Sequence, residues 1–167
     1  MIRIVTIVLA MSMACAAVAQ DCQMIVLFES DGGLVDQIVA GPGPLTGHLV
    51  LFSDVDEVSG FEASLEITPP ASLVVLAVSG PNGFTNFGDE FNLLVGYDTP
   101  VPTDDPTILC TLDLLVASSM SIEICVTGAE IAADGNVYPC EGGCSEINPT
   151  VPVEGWTFSA VKGSFGG

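Results

Sequence analysis

Positive charge is almost missing from this sequence. Lys and Arg together number 2 against 21 Asp and Glu, a formal net charge of −19. Nucleic-acid binding draws on cationic side chains that displace counterions from phosphates, and this chain has none to spare. Anionic membrane surfaces are excluded on the same ground. What such a balance favours is a self-repelling surface that collects divalent cations. Imidazole is nearly as scarce. His48 is the sole histidine and lies mid-strand beside Gly47, where it reads as a surface or core filler and not as a catalytic base. No G-x-S-x-G, H-E-x-x-H, P-loop or dinucleotide fingerprint is present. Pairs among 21 carboxylates arise by chance and indicate no glycosidase. The composition points away from an enzyme. Tyr97, Tyr138 and Trp156 complete the Tyr and Trp complement, a thin supply of aromatic platforms for a polysaccharide.

Long apolar runs are missing too, except at the start. "MIRIVTIVLAMSMACAAVAQ" has one cation, Arg3, then an apolar run over residues 4–18 and the small residues Ala17 and Ala19. This predicts a signal peptide over residues 1–19, cleaved after Ala19. The run falls short of the ~20 apolar residues that span a bilayer. Ser12, Met13 and Ala14, ahead of Cys15, fit a lipobox poorly. A secreted or periplasmic product is expected, with Lys162 as its remaining Lys or Arg.

Five cysteines follow the signal: Cys22, Cys110, Cys125, Cys140 and Cys144. Export permits disulfides, yet an odd number cannot all pair. "CEGGC" places two glycines in a tight loop, which predicts a Cys140–Cys144 bridge. A zinc site there would need two more nearby ligands. Parity aims Cys110 inward with Ile108 and Leu112, as a buried thiol, and Cys125 outward. Cys125 would reach Cys22 if the first and last long strands are neighbours; sequence alone leaves that pairing open.

The rest of the chain reads as strand after strand. Apolar or alternating runs occupy residues 23–30, 34–40, 45–54, 58–69, 71–80, 91–97, 107–116 and 121–131, parted by "DGG", "GPGP", "GPNG" and "DTPVPTDDP". About eight or nine short strands at such spacing predict an all-β antiparallel sandwich. In "VSGFEASLEITP", Phe61, Ala63, Leu65 and Ile67 share one face, and Glu62, Ser64 and Glu66 the other. A domain over residues 20–143 and a tail over 144–167 are expected, the tail adding an edge strand or a short helix around Trp156, Phe158 and Val161.

Three segments together resemble cohesin domains. "VSGFEASLEITPPASLVVLAVSG" is similar to that family's strand, Pro-containing turn and strand, "NLLVGYDTPVPTDDPTILCTLDLLVA" to its later pair joined by an acidic loop, and "SIEICV" to its closing strand. Carbohydrate-binding modules are similar in the same way, and "GWTFSAVKGSFGG" resembles the tails of secreted bacterial proteins of this size. The resemblance implies a jelly-roll sandwich and a non-catalytic module that holds a dockerin, a small calcium-binding helical protein, on one sheet face. It also implies that Glu62, Ser64 and Glu66 lie beside Thr111 and Asp113 on that face. The one cofactor to consider is calcium, which takes several oxygens from one or two loops. "YDTPVPTDDP" offers Asp98, Asp104 and Asp105. "SDVDEVSG" offers Asp54, Asp56 and Glu57 but departs from the EF-hand pattern. Calcium-dependent stability in a structural or surface-associated protein is one alternative role, and a carbohydrate-binding module that holds a polysaccharide is another.

Overall fold

A computed structural model gives the structure of the protein and describes residues 22–103 and 106–150. The expected signal peptide and the expected helix around Trp156 lie outside the described residues.

Seven long strands form the body: β1 (Cys22–Ser30), β4 (Gly43–Ser53), β5 (Glu57–Thr68), β6 (Leu73–Ser79), β8 (Asn92–Pro102), β9 (Thr107–Val116) and β10 (Ile122–Ala133). Six short ones extend them: β2 (Gly33–Val35), β3 (Gln37–Ile38), β7 (Thr85–Asn86), β11 (Asn136–Pro139), β12 (Glu141–Gly142) and β13 (Cys144–Ile147). No helix occurs among the described residues. The count exceeds the eight or nine expected because the short strands leave too little alternation to be read. Residues 34–40, expected as one strand, divide at Asp36 into β2 and β3, which serve different sheets.

One sheet runs β12-β1-β4-β9-β6, with β2 beside β1; the other runs β3-β13-β10-β5-β8-β7, with β11 beside β10. Pairing is antiparallel except for β1 with β12 and β13 with β3, which run parallel. The β10–β11 hairpin turns on Asp134 and Gly135, at φ 51° and 74°. Consecutive left-handed residues are what a two-residue turn between right-twisted strands requires.

Side chains alternate across each strand, so the core is a list of every second residue. Met24, Val26 and Phe28 of β1, Leu49 and Leu51 of β4 and Leu112 and Leu114 of β9 are buried from one sheet. Phe61, Ala63 and Leu65 of β5, Leu93 and Val95 of β8 and Ile122, Ile124 and Val126 of β10 meet them from the other. Each large side chain so buried contributes about 1.5–3 kcal/mol. The alternation expected for β9 fails at one end. A bulge opposite Leu49 and Val50 inserts Leu109 into the core and turns Ile108 out to 41% exposure. Leu109 is also where the sheets are tied, because the Tyr97 hydroxyl of β8 donates to its carbonyl at 2.8 Å. The Tyr97 ring lies against Phe61 and Phe84, with centroids 6.3 and 6.2 Å away.

The sandwich is closed along one side by residues 140–144. Gly143 donates its N–H to Met24 of the first sheet and accepts from Val126 of the second, at 2.7 and 2.9 Å. Ser145, buried in β13, donates its hydroxyl to the Val26 carbonyl of β1. The disulfides follow this strap: Cys22 pairs with Cys140 and Cys125 with Cys144. The expected Cys140–Cys144 bridge and the Cys22–Cys125 pairing considered beside it are both corrected. The segment between Cys140 and Cys144 does not curl into a loop; it runs extended as β12 beside β1, which carries its two cysteines to different sheets. Its glycines serve a different purpose as well. A Cβ on Gly142 would run into the Val126 carbonyl, and one on Gly143 into the Ile25 side chain. Among the described residues Cys110 remains as the free, fully buried thiol.

Candidate functional site

The five residues expected to form one face stand on two. Glu62, Ser64 and Glu66 belong to β5 and point outward from the seven-stranded sheet, whereas Thr111 and Asp113 belong to β9 in the six-stranded sheet. The sandwich core lies between them. Alternation identifies which residues point out, but it is silent on which sheet a strand joins, and that is where the expectation fails.

Around Asp113 the outer face of the six-stranded sheet is organised by His48. Glu29 accepts from its Nε2–H at 2.9 Å, which leaves Nδ1 to accept from the Thr111 hydroxyl at 3.2 Å. Both ring nitrogens are thus taken by cross-strand neighbours, in keeping with a filler residue.

The outer face of the seven-stranded sheet is different in kind. β5 runs along its middle between β10 and β8. Glu62 stands opposite Glu130 on one side and Leu94 on the other. Ser64 stands between Thr127 and Asn92 and donates to Asn92 Oδ1 at 3.1 Å; Thr127 donates to Glu66 at 3.2 Å. Asn92 is fixed in turn by Asp89, whose carboxylate accepts from the Asn92 side chain at 3.0 and 3.1 Å and from the backbone N–H groups of Asn92 and Phe91. Those bonds, the Asn92 side chain first, hold the Asp89 carboxyl below the usual range.

Glu62, Glu130, Leu94 and Val137 line a shallow depression together with Gly60 and Ala132. Gly60 is required there, since a Cβ would meet the Val95 carbonyl. Leu94, Val137 and Phe87 are 49%, 63% and 71% exposed, and the Phe87 ring lies over Gly96 of β8. Exposed apolar side chains set among carboxylates on a flat, rigid sheet are the makings of a protein contact surface. Phe87, Leu94, Glu130 and Val137 were not legible as site residues. Leu94 sits in the continuous run "NLLVG", where both parities are apolar, and Glu130 follows a bulge that resets the alternation of β10.

Asp98 is exposed on β8, and Asp104 and Asp105 lie outside the described residues. Among the described residues one trio of potential ligands is close enough to share an ion, namely Glu123, Cys125 and Cys144, and its two sulfurs are bonded to each other.

No protein-family model matches the chain, and no curated protein matches it. Solved structures do. The cohesin module of a Clostridium perfringens family 33 glycoside hydrolase has a TM-score of 0.56 and 17% identity, covering 78% of this chain and 97% of that one. A non-cellulosomal cohesin from Archaeoglobus fulgidus has a TM-score of 0.52 and 14% identity, covering 88% and 99%. A cohesin from a type I cohesin–dockerin complex of Clostridium thermocellum has a TM-score of 0.55 and 16% identity, covering 76% and 99%. The described chain is a β-sandwich with the cohesin fold.

Proposed function

We propose that the protein is an exported, non-catalytic binding module that holds a dockerin-like protein partner on the outer face of its seven-stranded sheet. The observation that carries this reading is the Glu62–Glu130 pair beside exposed Leu94 and Val137. Like charges directly opposite across two strands destabilise a sheet, and exposed leucine and valine gain nothing in water. A local arrangement that costs stability is a mark of a functional site. A partner presenting a cation and an apolar side chain relieves both. Solved neighbours with this fold were determined as cohesin–dockerin complexes, which supports a protein ligand. The two disulfides support an oxidising compartment.

The test uses immobilised protein to capture secreted proteins of the source organism, with and without calcium, and compares three variants. Glu62→Arg and Glu130→Arg each place a cation opposite a remaining carboxylate, so the fold should hold or tighten slightly while capture drops by about tenfold or more. Asp113→Arg, on the opposite sheet, should leave capture unchanged. Retained capture in both Glu variants, with folding verified by circular dichroism, would remove the face assignment.

A further inference from the structure

Sheet edges invite unwanted pairing, and proteins blunt them with short strands, charges, proline or bulges. Three of the four sheet ends in this sandwich follow that rule, since β12, β3 and β7 are two residues long. The fourth has only a bulge to blunt it. β6 is a seven-residue strand, "LVVLAVS", that pairs with β9 on one side and with no described strand on the other. It holds no charge and no proline. Its single irregularity, a bulge between Val75 and Ala77, sets Leu76 and Ala77 both outward, with Leu76 57% exposed. Val74 is 44% exposed and stands opposite Leu115, itself 38% exposed. The surrounding sequence sharpens the contrast. In a chain with 21 acidic residues, none lies between Glu66 and Asp89, and β6 occupies the middle of that run.

We infer that the β6 edge is a self-association surface on which a second copy of this chain adds its own β6, giving an edge-to-edge dimer. The argument for a second copy is electrostatic. Two chains this acidic repel over most of their surfaces, and this edge is where strand can meet strand without setting carboxylate against carboxylate. Main-chain hydrogen bonds supply the attraction, as in other strand-addition contacts, and Val74, Leu76 and Leu115 lose water as the two faces become continuous. The surface lies on the other sheet from the partner site, so the two readings stand or fall separately.

Sedimentation equilibrium of the secreted full chain, across micromolar to millimolar concentration and at low and high salt, tests the inference. Mass should rise toward twice the monomer with concentration, and more steeply at high salt, where like-charge repulsion is screened. Leu76→Lys should weaken the dimer by about tenfold or more, and partner capture should not change. Hydrogen exchange supplies a second readout: amides of Val74–Ser79 should gain protection with concentration in the unaltered chain. A monomer at every concentration overturns the inference, as does a dimer indifferent to Leu76→Lys with no concentration-dependent protection of β6.

Discussion

Cys110 is fully buried opposite Leu49, and burial pushes its thiol up to about 12. Tyr97 is shifted the same way, first by burial and then by the neighbouring Cys110. Both groups keep their protons in the folded state at a pH where the unfolded chain releases them. Their contribution to stability is therefore complete below the ordinary thiol value of 9.0. It declines as pH rises from there toward about 12, at no more than about 1.4 kcal/mol per pH unit for each group. Thermal melts between neutral and alkaline pH should show this fall, and Cys110→Ala, though less stable at pH 7, should show a shallower one. An alkaline limb of the same slope in the variant would exclude the thiol as its cause. The thiolate is the form that attacks disulfides, so the same burial keeps Cys110 from scrambling the two bridges. Its inward aim was legible in the sequence. The partners of the other four cysteines were not, because pairing depends on which strands flank residues 140–144, and two-residue strands carry no periodicity.

At the scale of elements, that strap does more than its length suggests. β12 lies against β1, and the residue after it bonds both sheets, donating its N–H to one and accepting at its C=O from the other. Gly142→Ala would drive a methyl group into the Val126 carbonyl. The strap would have to move, losing one or both of the Gly143 bonds, at a cost of about 2–3 kcal/mol. Glu141→Ala, an exposed change in the same strand, should stay within about 0.5 kcal/mol. Denaturant unfolding of both variants checks the contrast; equal effects would mean that the strap is not held by its backbone. The long strands themselves were legible, since "GFEASLEI" and "SIEICV" alternate cleanly and their inward residues are the core. Two physical effects hid the rest. Bulges at Leu109 and beyond Thr127 reset the alternation, and strand order is set by long-range pairing, so Glu62 and Asp113 read as neighbours although the core separates them.

The molecule as a whole has almost nothing to neutralise its charge. The described residues include no Lys or Arg, and His48 meets Glu29 as a hydrogen-bond donor. Mutual repulsion among the carboxylates works against compactness. Raising salt from about 0.01 to 0.15 M shortens the screening length from about 30 to 8 Å. At neutral pH this should raise Tm by a few degrees, about 2–4 °C for each kcal/mol recovered in a chain of this length. Scanning calorimetry over that range is the check, and a Tm that stays level or falls would mean that the carboxylates are too well solvated to repel. The disulfide between Cys22 and Cys140 has one further consequence, which concerns force. A pull applied between Cys22 and Thr150 passes through that bond and bypasses the strands that the intervening chain contributes. The chain that tension can straighten is then the run from Cys140 to Thr150, roughly 35 Å at about 3.5 Å per residue, where an unbridged chain would give roughly 450 Å. Loaded along that line, the domain is a short, inextensible link.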